Sequence, residues 1–290
     1  MSEALDSLLD LLDLERIERD MFRGRSRSAV VPRVFGGQVA AQAMVAAGRT
    51  VPEDRHAHSL HAYFLRPGDP GAPIVYEVDR LRDGRSFTTR RVVAVQHGKP
   101  VFTLSASFQL YEDGLDHQEP MPPAPDPETL PTNAERLRSY PHLPAATVDR
   151  FLEARAAVDL RYVNDPPYGD YGTPREPRSQ VWFRTAGKLA DDPLLHTVLA
   201  TYVSDMTLLD SVLLAHGRGG WAVGDVVGAS LDHAMWFHRP FRADEWLLYD
   251  QRSPSAHGGR GLGQASIYTQ DGRLALSVIQ EGVVRVPREH

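Results

Sequence analysis

The 290-residue chain contains no cysteine. That absence removes disulfides, thiolate nucleophiles and thiolate metal sites from consideration. It fits a reducing compartment, and a cytoplasmic location is expected. Positive charge is not in excess either: 32 Lys and Arg stand against 38 Asp and Glu, a formal charge of −6. A nucleic-acid partner would need the opposite balance. No apolar stretch approaches the roughly 20 residues that cross a bilayer as a helix, so no membrane insertion is expected. The segment MSEALDSLLDLLDLERIERD has acidic residues where a secretory leader has a basic start and an unbroken apolar run. The sequence PREH is not a peroxisomal address. There is no G-x-S-x-G elbow and no phosphate-binding P-loop. The glycines at 258, 259, 261 and 263 fail G-x-G-x-x-G because position 264 is Gln. They read as a flexible hairpin tip.

What is present describes a globular protein with 42% apolar residues, enough for an ordinary core. Leu5, Leu8, Leu9 and Leu12 follow the i, i+3, i+4, i+7 rule of an amphipathic helix, with Ser2 as its N-cap. Its polar face is acidic and would be repelled by anionic lipid, so the helix is expected to pack on the body.

A repeat decides the architecture. Tyr63-Phe64-Leu65-Arg66-Pro67 reads against Trp236-Phe237-His238-Arg239-Pro240, at an offset of 173. Gln96-His97-Gly98-Lys99 reads against Gln270-Asp271-Gly272-Arg273, at an offset of 174. Two separated matches with nearly equal offsets indicate a duplicated unit. Gly36-Gly37-Gln38 opens the Ala-rich run VAAQAMVAAGRT, a strong helix former. Asp83-Gly84 and Asp271-Gly272 are hairpin signals. Around them lie strand-like runs, IVYEV, RRVVAVQ and PVFTLSASF in the first half and EWLLYD, QASIYTQ and RLALSVIQEGVVRV in the second. The class is therefore α+β, each unit a long helix laid on an antiparallel sheet. The Pro-rich stretches at 121–131 and 164–177 cannot be helix or strand interior, and ATVDRFLEARAAV between them reads as a short helix. Boundaries fall near 1–115, 116–178 and 179–290.

Three polar residues break the repeat. Asp205 lies in the helical run HTVLATYVSDMTLL, Ser230 begins the strand-like SLDHAMWF, and Gln280 lies in LSVIQEGV. Subtracting the offsets leads from Ser230 to Ala57 and from Gln280 to Ala106, and the first helix has no acidic residue. The core does not need these polar groups in the first unit. That asymmetry points to one site, carried by the second unit. His56, His58 and His61 are close in sequence, but no accompanying carboxylate pattern supports a metal site, and none is expected.

At these residues the chain resembles the type II acyl-CoA thioesterases. The likeness includes LDLERIERDMFRG, VFGGQVAAQA, HSLHAYFLRPGD, LRDGRSFTTRRV, DHAMWFHRPF and QEGVVR. It implies a tandem double hot-dog fold, two antiparallel sheets each wrapped around a long helix. It implies hydrolysis of medium- to long-chain acyl-CoA with Asp205, Ser230 and Gln280 as the catalytic triad, Ser230 standing where many members have Thr. No cofactor is implied, since coenzyme A arrives with the substrate. Further copies of the chain are the expected partners, in a homo-oligomer. Arg66, Arg85, Arg90, Arg91 and Arg239 are the candidates for coenzyme A phosphates. Two rivals stand beside this reading. Hot-dog hydratases use an Asp and a His five residues apart near a Pro, as in Asp191, Pro193 and His196. Asp191 or Asp192 as the cap of a helix explains the same residues. The other rival is a non-catalytic acyl-CoA-binding module.

Overall fold

The computed structural model describes residues 2–26 and 33–287, apart from the side chain of Trp221. In chain order the elements are α1 (Glu3–Leu12), β1 (Glu15–Glu18), β2 (Met21–Gly24), α2 (Gly36–Gly48), β3 (Arg55–Phe64), β4 (Ile74–Asp83), β5 (Phe87–Gln96) and β6 (Lys99–Leu110). Then come α3 (Asn133–Arg138), α4 (Ala145–Arg155), β7 (Val158–Tyr162), β8 (Arg178–Thr185), α5 (Pro193–Ser204) and α6 (Asp210–Leu214). The chain continues through β9 (Val227–Ser230), β10 (Asp232–Phe237), β11 (Leu247–His257), β12 (Arg260–Thr269) and β13 (Leu274–Arg285).

All strands join one sheet in the order β1-β2-β4-β5-β6-β3-β10-β13-β12-β11-β8-β7, with β9 beside β13, and every pairing is antiparallel. Outward from the β3–β10 seam, the two halves repeat the same succession. At the seam His61 pairs with Ala234, its own counterpart at the offset of 173. A pseudo-two-fold axis therefore passes through that pair. The expected hairpins form at both turn signals. β4 and β5 flank Gly84, and β12 and β13 flank Gly272, whose φ of 88° suits a residue without a Cβ.

α2 is buried along nearly its whole length because it lies between the sheet and α5. Its alanines allow that close approach: a helix apolar on every side has no solvent face to lose. α1 starts at Ser2, whose Oγ accepts from the Leu5 N–H at 3.2 Å. It packs on α2 through Leu5, Leu8, Leu11 and Leu12; Leu11 joins the buried face where the heptad pattern had placed Leu9.

The Pro-rich segment is more ordered than a linker. Gln118 accepts from the Leu274 N–H at 3.0 Å and donates to the Gly272 carbonyl at 2.8 Å. Met121, Ala124 and Leu130 then cover Trp182, Trp246, Leu248 and Tyr268 on the sheet. The Trp182 indole donates to the Pro125 carbonyl at 3.0 Å. Prolines have no N–H to give a ladder, yet they make a strap that leaves such carbonyls free to accept. Later in the same segment, α4 is the expected short helix and β7 adds a strand beyond β8.

Candidate active site

Asp205, Ser230 and Gln280 converge. α5 ends at Ser204, and Asp205 is its C-cap with φ −86° and ψ −2°. The chain breaks at Leu231, so Ser230 closes β9 rather than opening a strand, and β10 begins at Asp232. Ser230 lies opposite Gly282 on β13, two residues from Gln280. The Ser230 hydroxyl donates to Asp205 Oδ1 at 3.0 Å. The Gln280 amide donates to Ser230 Oγ at 2.8 Å and also to Asp205 Oδ1. The three side chains therefore contact one another directly, well inside the span of a bridging water.

The opposite wall comes from the first half. The N-terminus of α2 faces Asp205, and the Gly37 N–H donates to its carboxylate. A Cβ on Gly36 would stand 2.7 Å from Asp205 Oδ2, and one on Gly37 would stand 2.5 Å from the Tyr202 carbonyl. Only glycine fits at either place. The Arg33 guanidinium donates to the Gly228 carbonyl and its charge reaches Asp205. Gly36, Gly37 and Arg33 were not legible as site residues, since nothing in the sequence says that α2 points at Asp205.

Burial raises the Asp205 pKa. The Gln280 amide, the Ser230 hydroxyl, the Gly37 N–H and the Arg33 charge each favour the ionised form, and they offset this only in part. Oδ1 has two side-chain donors, while Oδ2 lies against Gly36 and the Phe64 ring. The arrangement is a fixed carboxylate of raised basicity at a helix N-terminus.

The hydratase pair does not assemble. The Asp191 side chain is 96% exposed and pairs with Arg242 at 2.8 Å. His196 is buried, and its Nδ1 accepts from the Ala243 N–H at 3.0 Å. Asp192 caps α5 by accepting from the Leu194 N–H at 2.9 Å, so these residues start a helix. At the histidine cluster β3 carries a bulge between Ala57 and Ser59, which breaks strict alternation, and His58 bonds Ser107 at 2.8 Å.

Among the phosphate candidates Arg90 is wholly buried; it donates to the Thr50 hydroxyl at 2.9 Å and the Thr50 carbonyl at 3.0 Å. It has no surface to offer a phosphate. Arg91 pairs with Asp79, and Arg239 pairs with Asp116. Arg66 and Arg85 are exposed.

Residues 150–283 match the family model described as acyl-CoA thioesterase, and residues 25–109 match the model for its N-terminal domain. The human acyl-coenzyme A thioesterase 8 is 42% identical over 285 residues, covering 95% of this chain and 88% of its own. Acyl-CoA thioesterase 2 of Haemophilus influenzae is 41% identical over 287 residues, covering 98% and 99%. The crystal structure of an acyl-CoA thioesterase II from Mycobacterium marinum superposes with a TM-score of 0.78 at 43% identity, covering 98% of this chain and all of that one. A hot-dog protein of Alicyclobacillus acidocaldarius, only 20% identical, superposes with a TM-score of 0.77 and carries the same fold. Sequence, fold and relatives thus agree, and the chain belongs to the type II acyl-CoA thioesterase family.

Proposed function

We propose that the chain is a double hot-dog enzyme, units 1–115 and 179–290 joined by 116–178, and that its one site hydrolyses medium- to long-chain acyl-CoA by Asp205-assisted attack of water. The observation that carries this is the contact of Asp205, Ser230 and Gln280, with the N-terminus of α2 against the carboxylate. Thioester hydrolysis needs a base for water but little acid help for the leaving group. A thiolate near the acidity of cysteine leaves far more readily than an amine. Asp205 Oδ2 takes the proton of the attacking water. The Ser230 hydroxyl and the Gln280 amide hold Oδ1, so the carboxylate meets the water in one orientation. The N-terminus of α2 turns its positive dipole end toward the oxyanion that develops on the thioester carbonyl.

The test compares two variants on saturated acyl-CoA, with release of free thiol as the readout. Asp205→Asn keeps the shape and loses the base, so kcat should fall about 10²- to 10⁴-fold. His196→Ala should stay within several-fold of wild type, because His196 is a buried helix residue away from the triad. Near-normal turnover in Asp205→Asn, or an equal loss in His196→Ala, would move the site. A saturated chain also offers a hydratase no double bond, and a binding module would release no thiol.

A further inference from the structure

We infer that a second, cationic cleft at the tip of the β11–β12 hairpin takes the phosphorylated nucleotide end of coenzyme A; this rests on the acyl-CoA reading of the catalytic site. The cleft has a volume of about 330 Å³, in the range of small-ligand sites. Leu213, Val226 and Val284 make its apolar walls. His216, Arg218, His257 and Arg260 line the same space. This is a concentration of cationic and imidazole groups in a chain of formal charge −6.

The charges there are unevenly matched. Arg260 pairs with Glu281 at 3.0 Å. The other nearby carboxylate, Asp225, accepts from the backbone N–H groups of Gly219 and Gly220 at 3.1 and 2.8 Å. It is committed to its own loop. Arg218 therefore has no carboxylate partner among the described residues. An apolar wall with an unmatched guanidinium suits a ligand that has both a flat ring and phosphates.

The cleft is also in reach. Gln280, Gly282 and Val284 alternate along β13 and share its helix-side face. Gln280 belongs to the catalytic triad and Val284 to the cleft. Four residues of strand separate them by about 13 Å. The pantetheine arm has roughly thirteen bonds from its sulfur to the first phosphorus, about 16 Å at the per-bond reach of an extended chain. Leu209 packs directly on Gly282 between the two places, so the arm lies along the strand only when that side chain swings aside. A thioester held at Asp205 would then lay its phosphates at Arg218.

The experiment uses the full chain with two substrates, lauroyl-CoA and lauroyl-pantetheine, which share the thioester and differ in the nucleotide. Arg218→Glu should raise KM for lauroyl-CoA about tenfold or more, the worth of one charged hydrogen bond, with kcat little changed. Its KM for lauroyl-pantetheine should move less than about twofold, and Arg218→Lys should restore most of the loss. Adenosine 3′,5′-bisphosphate should compete with lauroyl-CoA and lose potency in Arg218→Glu, while inorganic phosphate at the same concentration should not compete. Equal KM changes on both substrates, or none, would overturn the assignment. So would a changed chain-length preference, which would give the cleft to the acyl tail, or competition by phosphate alone. Failure of the wild type to release thiol from either substrate would instead defeat the catalytic reading. Calorimetry with adenosine 3′,5′-bisphosphate reads the cleft in that case too, and absence of binding would refute it.

Discussion

At the scale of single residues, the proposed chemistry rests on how Asp205 is held. Burial pushes its pKa above the ordinary carboxylate value, and four donors or charges pull it partly back. A general base must be ionised to work, so kcat/KM should fall as pH drops through this raised pKa. Ser230→Ala and Gln280→Ala each remove a donor that favours the ionised form. Both should therefore move the acid limb of the kcat/KM profile to higher pH, beyond their loss in rate. A limb that stays in place, or moves down, would mean that these side chains do not hold the carboxylate. All three residues were visible in the sequence, because the offsets of 173 and 174 set Ser230 and Gln280 against Ala57 and Ala106. Gly36 was quoted there only as the start of a helix. Its role depends on the packing of α2 against the end of α5, which no local pattern records.

At the scale of elements, α6 is the least ordinary piece. Its approach to the sheet is possible only because three strand positions lack side chains. A Cβ on Gly261 would stand 2.4 Å from Val212, one on Gly263 2.9 Å from Leu208, and one on Gly282 2.4 Å from Leu209. Sequence reading took the glycines at 258, 259, 261 and 263 for one flexible tip. Only Gly258 and Gly259 turn the hairpin, with φ of 60° and 75°; Gly261 and Gly263 are strand residues on which the α6 region sits. A strand glycine and a turn glycine look alike until the partner that needs the space is known. The short helix also buries Asp210, whose Oδ2 has no hydrogen-bond partner, and burial pushes its pKa up to about 7 against the pull of Arg155. The folded state then holds a proton that the unfolded chain releases near 4. Stability from this group is full below pH 4 and is lost as pH rises towards 7. Asp210→Asn removes the titration. It should raise Tm at pH 8, by an amount reflecting up to about 4 kcal/mol, and change it much less at pH 5. An equal shift at both pH values would refute the account.

At the scale of the whole molecule, the two halves share a plan but not their contents. Gln280 pairs with Gly263 in the second half, and the corresponding pair in the first is Ala106 with Arg90. Where the second half has the Gln280 amide beside a bare backbone, the first has a buried guanidinium. Arg90 bonds Thr50 just after α2 and reaches Asp83 at 2.6 Å. At the helix end itself, Arg49 caps α2 where Asp205 caps α5. Arg90→Met should lower stability by about 2–4 kcal/mol, since it strips partners from buried carbonyls. Urea unfolding measures that loss, while kcat of the folded enzyme should hold within about twofold. A fall in kcat matching that of Asp205→Asn would mean that the first half carries chemistry of its own. The hairpins and the unequal halves could be anticipated from the repeat, because hairpin turns and alternation are local. The strap of residues 118–130 and the added strand β7 could not, since prolines mark only what a segment cannot be.

The seam between β3 and β10 has one more consequence. An assembly of two identical subunits must accept every mutation twice, once at each of its symmetric positions. Here both positions are written separately in one gene and arrive in a fixed one-to-one ratio. One half carries a buried guanidinium where the other carries the amide of Gln280. Neither half is self-sufficient, for the glycines that face Asp205 belong to the opposite half.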